Sequence, residues 1–264
     1  MKPHLVVLST MNESDNHLCS GTPPEGLPLS KDEKRLLDKT PDADREARLQ
    51  ALLMEYHAVT EQTAERTDEN TRTPLALQQA RLALDIAGLH LDLDNKASAY
   101  TFARNVVPIF IEHQAFEDAA MACQYVYLAE HDDSIAAVGQ AAWLSVTYPV
   151  DPHLTANILN HIIDETPDDS DGGAVAAATA HYVVDIRVNN AQREELKLFT
   201  GANLARVAKR HSRVQSQTEF ELWVERLELD IPEKLLVRLR NVIDVMVQDD
   251  WWFDRDQLQN QIPD

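Results

Sequence analysis

Glycine is scarce in this chain. Only 7 of 264 residues are Gly, and the Asn-Gly and Asp-Gly pairs that close β-hairpins shrink to one, Asp171-Gly172. That argues against a turn-rich β-fold. Of two cysteines, Cys19 stands in a polar leader and Cys123 in an apolar helical pattern. Neither a disulfide framework nor a cysteine-based zinc site is expected, and a reducing, cytoplasmic setting fits. No stretch approaches the apolar length of a membrane span, and the opening MKPHLVVLSTMNESD breaks its apolar run too soon for a signal peptide. Basic residues are also few. Against 44 acidic residues there are 24 Lys and Arg, a formal charge of −20. Such a surface repels nucleic acid and anionic membranes and favours basic partners or cations.

What is present is a helix-forming composition. Ala, Leu, Glu, Gln and Arg dominate the middle of the chain, and the expected class is all-α. Residues 1–29 read as a flexible leader, with loop chemistry at Ser20–Gly26. Residues 30–73 read as acidic N-terminal helices and a linker. Ser30 and Glu33 have capping-box spacing, and Leu49, Leu52, Leu53, Tyr56 and Val59 recur at three and four. The polar stretch Thr67–Pro74 reads as the linker, with Pro74 starting the next helix.

From Pro74 to Val188 the helices are almost continuously apolar. Breaks are expected at 92–95, near Gln114, at 131–134, at Asp151-Pro152 (an N-cap followed by a first-turn proline) and at the loop 168–173. Asn189 or Asn190 should cap the following helix, to about Lys209. Residues 189–264 hold the C-terminal helices, which end in the aromatic, acidic segment DDWWFDRDQL at 249–258.

Helices joined by short turns for about a hundred residues suggest antiparallel hairpins stacked as a short α-solenoid. In FARNVVPIFIEHQAFEDAAMACQYVYLAEH, Phe110, Phe116 and Ala119 stand at the spacing of the two aromatics and the small alanine of a tetratricopeptide repeat. The chain resembles that family over residues 102–131, and residues 74–188 are read as a TPR-like core. The unit at 135–167 keeps the helix–turn–helix form without the signature positions, and the period drifts from the family's repeat. The resemblance implies a non-enzymatic adaptor, scaffold or regulatory subunit that binds another protein.

Several residues invite chemistry. His113, His131, His153, His161 and His181 lie on or near the central helices, with Glu112, Glu130, Asp132, Asp164 and Glu165 close in sequence. Metal sites in helical bundles use Glu-x-x-His or His-x-x-x-His, and neither spacing occurs. The acidic loop 168–172 fails as a calcium loop, because Pro167 and Ala178 stand where ligands are needed. No nucleophile elbow, Walker loop or dinucleotide fingerprint occurs. No catalytic residue, metal or cofactor is therefore assigned. The alternative to an adaptor is a helical enzyme or metal-dependent accessory subunit built on acids and histidines of residues 112–165.

Two groups are expected to bind a partner. Trp251, Trp252 and Phe253 carry a large apolar area flanked by Asp249, Asp250, Asp254 and Asp256. Such a segment either caps the helical core or docks on another protein. Arg206, Lys209 and Arg210, with His211 and Arg213, form the one basic cluster. It either complements a helix dipole or receives an acidic tail or phosphate.

Overall fold

In the computed structural model, residues 42–65, 68–188 and 192–262 are described, and every regular element among them is an α-helix. The leader with Cys19, the Ser30–Glu33 capping box and the Asn189–Asn190 cap fall outside the described residues. The helices are α1 Asp42–Glu65, α2 Glu69–Asp92, α3 Lys96–Glu112, α4 Phe116–Leu128, α5 Ser134–Thr147 and α6 Pro152–Glu165. They continue as α7 Asp171–Arg187, α8 Gln192–Ser212, α9 Gln217–Arg226, α10 Pro232–Val247 and α11 Arg255–Gln259.

The described chain divides into two compact units. One holds residues 42–150 and 243–262; the other holds 151–242. The border at Val150–Asp151 falls inside the stretch 74–188 that the sequence marks as one core.

In the first unit each helix from α1 to α5 packs on its neighbour in sequence, and α2 also meets α4. Leu49 of α1 joins Ile86 and Leu89 of α2, flanked by Tyr56 and Phe102. Phe110 and Ala119 are wholly buried, and Phe116 stacks on Tyr148 at 3.5 Å. Each large apolar side chain removed from water contributes about 1.5–3 kcal/mol, so these helices are held by their faces more than by propensity. α2 begins five residues before Pro74, which sits within its second turn. The ring's fixed φ suits a helix, and one N–H is lost near its start.

The second unit repeats the arrangement. α6 packs on α7, α7 on α8 and α9 on α8, with α6 also reaching α8. Asp151 caps α6 through bonds from the N–H groups of His153 and Leu154 at 2.8 and 3.2 Å, just before Pro152. α7 starts at Asp171, capped by Ser170, so Gly172 and Gly173 are buried helical residues and not an exposed loop. A Cβ on Gly173 would lie 2.6 Å from Arg210 Nη2 and 2.8 Å from Thr166 Oγ1. These glycines serve close packing, not turning.

One turn recurs in both units. Asp94, Gln114 and Glu228 have φ of 55°, 55° and 51°. At each, the next N–H reaches back to the carbonyl of His90, Phe110 or Val224 at 2.8–3.0 Å. This is a Schellman ending with a non-glycine residue at the left-handed position, which explains how so many helices stop in a chain so poor in glycine.

Candidate functional site

The aromatic segment lies against α5. After α10, Gln248 turns the chain with φ of 52°, and Asp254 then caps α11 by accepting from Gln257 N–H. Trp143 of α5 meets Trp251 edge-on at 6.1 Å and Phe253 at 5.7 Å. The buried amide of Gln140 grips the backbone at two points. Its Nε2 donates to Asp250 O at 3.2 Å, and its Oε1 accepts from Trp252 N–H at 2.8 Å. Tyr148 Oη donates to Leu258 O at 3.3 Å. Trp251, Trp252 and Phe253 all remain half-buried.

The cations that meet this segment are Arg104, whose guanidinium lies 3.9 Å over the Trp252 ring, and Arg255, which lies 4.8 Å over Trp251 and pairs with Asp244. Each such contact is worth about 0.5–2 kcal/mol. Members of the Arg206–Arg213 cluster have partners within their own unit. Arg206 Nη2 lies 3.2 Å from Asn160 Oδ1 and 3.7 Å from Asp164. Arg210 donates to Ile163 O at 2.8 Å and pairs with Asp168 at 3.4 Å. Both therefore tie α8 to α6 and the loop after it, while Lys209 is exposed. His211 Nδ1 accepts from the Trp223 indole at 3.2 Å, so Nε2 carries the proton and donates to Asp171 at 3.1 Å. Arg238 reaches the other oxygen of Asp171 at 2.9 Å.

The remaining histidines have separate surroundings. His113 Nδ1 bonds to Ile109 O at 2.8 Å, and His131 stacks on Tyr100 at 4.0 Å beside Asp133. Burial lowers the pKa of His161. Among the described residues no three His, Cys, Asp or Glu side chains gather into a group that could hold a metal. Cys123 is buried and free, and burial pushes its thiol up to about 12. It is no nucleophile at neutral pH.

His181 sits apart from these in a chemically furnished cavity of the second unit. The cavity has a volume of about 40 Å³, and its walls include Leu204, Val224 and Leu235 beside His181, Tyr182, Asp185, Lys197 and Asp230. Thr200 Oγ1 lies 2.9 Å from Leu196 O, which can only accept, so the hydroxyl proton is directed there. His181 Nδ1, 3.0 Å from the same Oγ1, is then the donor, and Nε2 is the unprotonated acceptor. Burial, reinforced by the Lys197 charge, lowers the His181 pKa to about 4. Asp185 Oδ1 accepts from Arg193 at 2.7 Å and Lys197 at 2.8 Å, and bonding to these cations lowers its carboxyl pKa.

Sequence reading noted His181 but missed this assembly. The i,i+4 step from His181 to Asp185 was its only local trace. Ala178 and Tyr182 share α7 with them, and the other members come from α8, from Val224 of α9 and from the residues around the start of α10.

Compared with known proteins, the chain matches no family model, and no curated protein or solved structure matches it either.

Proposed function

We propose that this protein is a non-enzymatic, TPR-like helical-repeat protein that engages a basic segment of another protein, as an adaptor, scaffold or regulatory subunit. The observation that carries this reading is the recurring turn. α2–α3 and α3–α4 are joined by three-residue links, 93–95 and 113–115, with the same Schellman bonding. Identical short links between helices that pack on their sequence neighbours are what a stacked hairpin array requires, and such arrays present long helix faces. The charge of −20 selects a basic partner. Exposed Leu222 on α9 and Val237 and Val245 on α10 add apolar area to the acidic surface.

The test is affinity capture from native lysate at two ionic strengths, with cross-links mapped to both chains. A basic protein should bind stoichiometrically at about 50 mM salt and fall away at about 500 mM, as screening shortens the reach of charge. Absence of any stoichiometric partner at low salt, or a partner that is acidic over the cross-linked region, would overturn the reading.

A further inference from the structure

The cavity of the second unit has groups left over after its internal bonds are made. Asp185 is engaged by Arg193 and Lys197. His181 donates through Nδ1 to Thr200. Among the described residues, neither His181 Nε2 nor the Asp230 carboxylate has a protein partner. Both are acceptors, and both line the same cavity. Around them Leu204, Val224 and Leu235 supply an apolar wall. At about 40 Å³ the space exceeds what a single water molecule requires, roughly 10–15 Å³ by this kind of measure.

We infer that this cavity binds a small aliphatic primary amine, its ammonium group donating to His181 Nε2 and the Asp230 carboxylate and its alkyl part lying against Leu204, Val224 and Leu235. The charges support a cation. Arg193 and Lys197 are both engaged by Asp185, and among the described residues Asp230 has no cation paired with it. The ammonium group then sits at the one unpaired carboxylate, within the field of a chain of charge −20. An anion would meet Asp230 and the same field. A neutral alcohol can satisfy one acceptor but supplies no charge. An ammonium has three N–H donors, enough for both acceptors and solvent. The bond to a carboxylate is charge-assisted, which makes it the dominant polar contact.

The experiment is a ¹⁵N NMR titration of the full-length protein with three probes of one shape: isobutylamine, isobutanol and isobutyrate. Isobutylamine should move the His181 Nε2 resonance saturably, at millimolar concentration, and the other two should not. Asp230→Asn should weaken the amine by about tenfold or more, the scale of losing one charge-assisted bond. Ala178→Leu, which fills the cavity wall on α7, should abolish the shift. No saturable shift, equal shifts with all three probes, or undiminished binding in either variant would overturn the assignment.

Discussion

The two units use one grammar of helix and turn for different interiors. In the unit of α1–α5 the interior is apolar and alanine-rich: Ala99, Ala103, Ala119, Ala120 and Ala122 are wholly buried with Phe110. It also buries the polar side chains of His90, Gln124, Gln140 and Ser145, and Gln140 bonds to the returning C-terminal segment. In the unit of α6–α9 polar groups enter the helix contacts themselves. Thr179 and Thr200 are buried, His181 is kept neutral, and Asp185 faces two cations. Both interiors bury alanines, Ala174, Ala176 and Ala177 of α7 in the second, and the difference lies in the linked charged and polar groups around His181. Longer polar side chains bonded to one another leave a cavity with chemistry on its walls. That contrast is why a ligand site is assigned to one unit and an aromatic seat to the other.

The most disruptive way to break the contrast is to put charge into the apolar interior. Ala119→Asp places a carboxylate where exposure is 0%. It should cost about 4–5 kcal/mol or more and abolish cooperative unfolding of that unit, because the wholly buried site strips the carboxylate of water. Thermal melting followed by circular dichroism checks this, and an unchanged midpoint would contradict the close α3–α4 packing.

Removing the aromatic seat comes next. Trp143→Ala should cost about 3–5 kcal/mol, the range for emptying a buried aromatic site. It should also increase protease cleavage between Val247 and Asp254, because Trp251 and Phe253 lose their shared partner. Urea melts and limited proteolysis report the two effects separately. A variant as stable as the parent, with the segment still protected, would place the hold on Gln140 and Tyr148 instead.

The polar interior predicts a dependence on pH. The folded-state pKa of His181, about 4, lies below its ordinary 6.5. The unfolded chain therefore takes up more protons between these values. Stability from this group is complete above about pH 6.5 and is lost as pH falls toward 4, by an amount on the order of 3 kcal/mol. Hydrogen exchange of α7 and α8 amides should accelerate over that window, and His181→Asn should remove this component. Exchange of the α3 and α4 amides is the internal comparison.

The smallest effect tests the grammar that the units share. Gln114 occupies the left-handed position at the end of α3, with φ of 55°. Gln114→Gly relieves its Cβ there and should stabilise the fold by up to about 1 kcal/mol, offset in part by a freer unfolded chain. A raised urea midpoint at constant slope is the expected result. A fall of similar size would mean that the Gln114 side chain contributes more than its backbone costs.

Much of this architecture was legible in the sequence because it is local. Apolar spacing of three and four marked α1 through the Leu49–Val59 face, and Asp151-Pro152 marked the start of α6. A helix bonds each residue to one four positions away, so its face and caps are written within a few residues. Only the tertiary structure decided the rest. Gly172 and Gly173 read as loop residues until Thr166 and Arg210 are seen packed against them. The tail's partners, Gln140 and Trp143, lie more than a hundred residues from Trp252. The cavity draws on residues 178 to 235, with Thr200 bonded behind His181. Contacts across such separations depend on which helix faces meet, and no local spacing encodes that choice.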